Sequence, residues 1–152
     1  MALFSVGGLT VATAATDAHA ICAIWNPDGA KRIWLHEVSV FAAAAPGAGS
    51  GFEIRRITAR GTAGSTVTPD ADNAHEDGDV PASGFLLDLA TYSGQPTTAT
   101  PAMQGFVFAA VAASGVILPL RRIAIPPGTG IALVNRAAII VPACEVGFVV
   151  EE

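Results

Sequence analysis

Glycine and proline punctuate this chain from end to end, 16 and 10 of them among 152 residues. Glycine weakens a helix interior through its backbone entropy, and proline removes a donor and clashes with the preceding turn. Between these breakers lie many Ala, Thr and Val residues, and β-branched side chains fit a pleated strand. The pattern predicts short strands joined by many turns and excludes a helical bundle. Hydrophobic residues make up 51% of the chain and charged residues only 14%, against about a quarter in an average globular protein. Wholesale disorder is excluded, and the length suits one domain with a sizeable core.

The formal net charge is −5, and the eight basic residues are scattered as Lys31, Arg32, Arg55, Arg56, Arg60, Arg121, Arg122 and Arg136. Nucleic-acid binding needs a clustered basic face that releases counterions, so no nucleic-acid partner is expected. Cys22 and Cys144 lie near opposite ends and lack CxxC zinc spacing. Two buried free thiols are the first expectation, with a single bridge left open.

Residues 3–15 are small and apolar, and Asp17-Ala18-His19-Ala20 has a small-x-small pattern like a signal-peptidase site. No basic residue precedes Lys31, however, and Thr10, Thr13 and Thr16 interrupt the apolar core. Residues 1–18 therefore read as an N-terminal arm or edge strand, and residues 19–152 as a single β-sandwich domain. Residues 102–120 are apolar enough to suggest a membrane helix. Gln104, Gly105, Ser114, Gly115 and Pro119 split them into two strand-length runs, 106–112 and 116–120, joined at 113–115 like a tight hairpin. No membrane partner is expected.

Further strands are predicted weakly over 9–14 and more firmly over 19–25, 31–42, 52–60, 85–91, 121–125, 131–135 and 144–150. Asn26-Pro27-Asp28-Gly29 is the clearest turn: Pro27 presets φ and Gly29 accepts a positive φ. Ile33 and Leu35 face one way and Val38 and Val40 the other, a change of parity that predicts a β-bulge or a strand changing sheets. Residues 45–51, 61–84 and 92–104 read as loops. The fold class that follows is all-β: a jelly-roll-like β-sandwich of eight to ten short strands with two long loops.

His19, His36 and His75 show no metal-ligand spacing, and no GxSxG elbow surrounds any serine. The Gly47 to Gly51 stretch lacks the GK[ST] end and helix of a phosphate loop. The most charged segment, residues 70–79, carries Asp70, Asp72, Glu76, Asp77 and Asp79. His75 sits where an EF-hand needs Gly, and Pro81 where it needs Glu. An exposed tip or subunit joint is expected there instead of a metal site. The arginine pairs Arg55-Arg56 and Arg121-Arg122 each place one side chain on either face of a strand. The residues thus assign no catalytic residue, no metal ligand and no cofactor, and the chain is not expected to be an enzyme. So few charges over so much apolar sequence predict a homo-oligomer.

One resemblance goes further. Ala23-Ile24-Trp25-Asn26-Pro27-Asp28-Gly29-Ala30-Lys31-Arg32-Ile33 resembles the turn leading into a long strand in small jelly-roll proteins encoded among the head genes of tailed bacteriophages. Ile125-Pro126-Pro127-Gly128-Thr129-Gly130-Ile131-Ala132-Leu133 is similar to their late turn, and residues 146–152 to their acidic-ended closing strand. The likeness spans about residues 20–152. It implies a virion structural protein assembled in the host cytoplasm, foremost a capsid decoration or cement protein that binds the major capsid protein or other virion proteins. It also implies a trimer. A tail, fibre or spike component stays as the alternative, as does a carbohydrate-binding jelly-roll module using Trp25, Trp34 or Tyr92.

Overall fold

The computed structural model describes residues 2–12, 19–27, 29–45, 50–76, 80–109, 111–136 and 141–152. Among them the chain forms eleven strands: β1 (Leu3–Leu9), β2 (Ala20–Asn26), β3 (Ile33–Ala42), β4 (Ser50–Ala59), β5 (Thr62–Val67), β6 (Leu86–Gly94), β7 (Thr97–Thr98), β8 (Gln104–Phe108), β9 (Gly115–Ile125), β10 (Thr129–Asn135) and β11 (Cys144–Glu151). The one helical segment described is a 3-10 turn at Ala71–Asn73. The strands make two packed sheets, so the all-β sandwich expected from the glycine and proline content is what forms.

One sheet has the order β1-β11-β3-β9, and the other β5-β6-β2-β10-β4-β7, with β8 also paired to β4. All pairings are antiparallel. Alternation fills the space between the sheets: Phe4 and Val6 from β1, Ile33, Leu35, Val38 and Val40 from β3, and Phe148 and Val150 from β11 meet Ile24, Ile54, Leu87 and Leu133. Each large aliphatic or aromatic side chain so buried contributes about 1.5–3 kcal/mol. Cys22 and Cys144 are both buried in this core as free thiols.

The parity change in β3 is a bulge. Its register against β9 shifts between Leu35 and Glu37, and β11 shifts opposite the same point, between Val149 and Val150. The two turns quoted above share one end of the sandwich. The Asn26 side chain donates to the carbonyls of Lys31 (2.8 Å) and Ile125 (2.9 Å), and the Asn26 carbonyl accepts from Gly128 (2.9 Å). Gly29 has φ 76° and Gly128 φ 69°, the left-handed values for which glycine is suited. Asp28, in the middle of the first turn, lies outside the described residues.

Several expectations are corrected. The weak strand over 9–14 is displaced: β1 ends at Leu9, and residues 13–18 lie outside the described residues. Within residues 1–18, read as an N-terminal arm or edge strand, β1 is an edge strand whose Phe4 and Val6 are core residues. Residues 61–84 are not one long loop, since they contain β5 and the 3-10 turn, and residues 92–104 contain the end of β6 and β7. These additions take the strand count past eight to ten. The hairpin expected across 113–115 does not pair with itself. β8 pairs with β4 in one sheet and β9 with β3 in the other, so the turn carries the chain between sheets. Its Ala113, at φ 59°, donates to the Ala42 carbonyl (2.8 Å).

β4–β5 and β6–β7 form one continuous antiparallel ribbon, with Ala59 opposite Thr97 and Thr62 opposite Gly94. Because β5 and β4 stand toward opposite ends of the strand order, this ribbon rolls the sheet toward closure. A Cβ on Gly61 would lie 2.4 Å from the Gly94 carbonyl oxygen, so only glycine turns this corner. A second, smaller core lies on the sheet's other face, made by Ala20, Ala23, Ile57, Ala132 and Val134 with Trp25 and Tyr92 against them. Small residues there let the ribbon approach closely.

Candidate functional site

The outer face of the four-stranded sheet gathers most of the chemistry. Strand register sets it out in rows across β1, β11 and β3: Leu3, Glu151 and Trp34; then Ser5, Val149 and Glu37; then Gly7, Gly147 and Ser39. Two features result, a charged clamp and a furrow.

The clamp forms around the bulge. Arg122 sits at φ 52° inside β9, uncommon for a residue with a side chain. That backbone turn lays its guanidinium 4.5 Å above the centre of the Trp34 ring and donates to Glu151, Nη2 to Oε1 at 2.5 Å and Nε to Oε2 at 3.0 Å. His36, at the bulge in β3, meets Oε2 of the same carboxylate through Nε2. Glu151 is almost fully buried, its side chain 5% exposed. Burial raises its carboxyl, but the Arg122 and His36 contacts outweigh burial and hold it below the ordinary value. With its fork and its histidine in place the carboxylate is satisfied, which makes the cluster a structural clamp between β3, β9 and β11.

The furrow is a space of about 290 Å³ lined by Ser5, Gly7, Glu37, Ser39, Gly147 and Val149, with Val6 and Phe148 beneath. The glycines open it. Gly7 and Gly147 are paired across β1 and β11, and a Cβ on Gly147 would lie 2.6 Å from Ser39 Oγ. Around the furrow, Leu9, Phe41 and Ile117 are exposed. Ser5 Oγ shares a 2.7 Å hydrogen bond with His75 Nε2.

The remaining residues singled out in the sequence lie elsewhere. Asp70 caps the 3-10 turn by accepting from the Asp72 N–H at 3.0 Å. Asn73 and His75 dock that segment on the β1 edge, donating to the carbonyls of Ser5 (3.2 Å) and Leu3 (2.8 Å). Asp70, Asp72 and Glu76 are exposed, and Asp77 and Asp79 lie outside the described residues. The segment is therefore strapped to an edge strand with its described carboxylates in solvent. Among the described residues no cluster of His, Cys, Asp or Glu is arranged to hold a metal, and no helix is long and apolar enough to cross a membrane. Gly47 and Gly49 also lie outside the described residues.

The arginines largely find partners within the chain. Arg55 donates to Glu53 on its own strand, Arg56 reaches the Ala124 carbonyl of the facing sheet (2.8 Å), and Arg60 forks onto buried Asp88 at 2.8 and 2.6 Å. Trp25 packs on the second core and Trp34 lies under Arg122, so neither ring stands free as a stacking platform.

No family model, no curated protein and no solved structure matches this chain. The furrow and clamp were not singled out from the sequence. Alternation in β11 put Glu145, Gly147 and Val149 on one face, which was the available signal, but the strand register that brings Gly7 and Ser39 beside Gly147 is not local.

Proposed function

We propose that this chain is a virion structural subunit, a capsid decoration protein of a tailed phage acting as a homo-oligomer without catalytic chemistry. One observation carries the assembly part of the reading. Met103, Val107, Val111 and Ile117 are exposed, Val107 at 73%, along the stretch that runs from edge strand β8 to edge strand β9. A soluble subunit that leaves such a strip in water gains by covering it against a neighbour. The sandwich behind it is densely cross-braced, as a subunit that transmits load across a shell requires. The phage head itself enters through the resemblance of the two turns and the closing strand, and the trimer does too.

The test is quantitative. In purified particles of the phage that encodes it, a decoration protein is present in hundreds of copies and particles lacking it burst at lower temperature or on osmotic shock. A few copies per particle would turn the reading to the tail, and none would end it.

A further inference from the structure

We infer that the furrow on the four-stranded sheet receives the Lys31–Arg32 turn of a second copy of this chain, making a head-to-tail contact. The inference rests on the assembly reading above only in requiring a second copy, and it names a surface that shares Ile117 alone with the β8–β9 strip.

Charge sorting within the chain is the first ground. Glu53, Asp88 and Glu151 each hold an arginine of their own chain. Among the described residues, Lys31, Arg32 and Arg121 have no carboxylate within ion-pair distance; Asp70, Asp72, Glu76 and Glu152 also lack a cation, and of the unpaired acids Glu37 and Glu145 are the two on the outer face of the four-stranded sheet. Lys31 and Arg32 are exposed side by side on the turn before β3, while Glu37 lines the furrow and Glu145 lies on the same outer face.

The furrow's chemistry matches a basic side chain. A glycine floor at Gly7 and Gly147 beside Val149 suits the methylene stem of lysine or arginine. Glu37 and the hydroxyls of Ser5 and Ser39 offer acceptors to a charged head, and charge-assisted bonds are the stronger kind. A single carboxylate with two hydroxyls falls short of the six to eight oxygens that calcium takes. The exposed Leu9, Phe41 and Ile117 supply an apolar rim, the surround that excludes water from such a contact.

The chain's own turn does not reach. Arg32 and Glu37 lie five positions apart along β3, roughly 17 Å at strand rise, with the Trp34–Arg122–Glu151 clamp between them. A tip on one copy and a face on the next make a heterologous contact, which closes into a ring when the rotation allows.

The experiment is sedimentation velocity of the full chain at low and high salt, with circular dichroism to check folding. The wild type should assemble, more weakly at high salt. Glu37→Lys, and separately Lys31→Glu with Arg32→Glu, should each weaken self-association by at least about tenfold, because like charges then face each other. Combining all three changes in one chain should restore it. Mixing the two defective proteins should likewise restore assembly with the two alternating, since each tip then meets a furrow of opposite charge. Gly147→Ala, whose new methyl needs only Ser39 Oγ to rotate away, should raise the floor and weaken assembly with the fold kept. Assembly of the wild type that both charge reversals leave unchanged would overturn the inference and leave the assembly reading standing. A wild type that is monomeric at every concentration would overturn both the inference and the homo-oligomer. Restoration failing in the triple variant, with each reversed protein folded, would also count against it.

Discussion

Arg122 grips Glu151 with both its Nε and Nη2, at 3.0 and 2.5 Å, from a left-handed backbone position at φ 52°. An L-residue there costs about 1–2 kcal/mol, and the fork onto a buried carboxylate together with the Trp34 stack offsets it. Arg122→Ala loses the contacts and keeps the strained φ, whereas Arg122→Gly loses the contacts and the strain. The glycine variant should therefore be the more stable of the two by about 1 kcal/mol, reversing the usual order of these residues in a strand. Urea midpoints decide it, with both variants expected below wild type.

The same carboxylate sets a dependence on pH. The folded-state value of Glu151 is lowered by Arg122 and His36 despite burial, relative to an ordinary 4.5. A lowered carboxyl contributes stability above 4.5 and loses it as pH falls toward the folded value. At neutral pH Glu151→Gln should cost about 2 kcal/mol, since it removes a charged acceptor from a buried site while Arg122 stays half in solvent. Thermal midpoints measured from neutral pH downward should show the gap between wild type and variant closing in acid. A gap that stays constant with pH would contradict the clamp.

Tyr92 is the chain's only tyrosine, so its ionisation is read directly by absorbance near 295 nm. It packs against the second core, and its hydroxyl has no hydrogen-bond partner among the described residues. Burial first, then nearby Cys22 and Asp88, push the phenol well above its ordinary 10, with Arg60 opposing. The raised value means that its stability contribution is full below 10 and is lost as pH climbs from there. Tyrosinate should appear only with unfolding. Tyr92→Phe should cost less than about 1 kcal/mol or stabilise, because an unpaired buried hydroxyl is removed. Tyrosinate forming at pH 10 in the folded protein would refute this packing.

What the sequence disclosed followed physical range. Strands with clear apolar alternation were legible because burial on one face writes itself every second residue, as in β11, and the β3 bulge showed as a change of parity at His36 and Glu37. β5 was not, since Thr62, Ser65 and Thr66 face solvent on the rolled ribbon and leave no apolar signature. The false hairpin at Ala113-Ser114-Gly115 had correct turn chemistry, but β8 and β9 found better partners in β4 and β3, and pairing is decided by the whole core. The clamp was out of reach for the same reason: His36 and Glu151 stand 115 residues apart, and nothing local to Arg122 announces a left-handed φ.

Cys22 and Cys144 give the last prediction. Both are buried free thiols in the core between the sheets, and Cys144 Sγ lies 3.4 Å from the Pro142 carbonyl oxygen. Burial pushes Cys144 up to about 11. Burial above all, with the nearby Cys144 adding to it, pushes Cys22 higher still against a smaller lowering from a Leu133 backbone bond. Thiolate is the species that attacks a disulfide reagent, so at about pH 8 neither residue supplies it and neither is reachable. The folded protein should therefore be inert to Ellman's reagent over hours, and denaturation should release both thiols together. One thiol reacting in the folded state would mean that its strand opens locally. No reaction after denaturation without reductant would show that the two are bridged and that the core is stapled between β2 and β11.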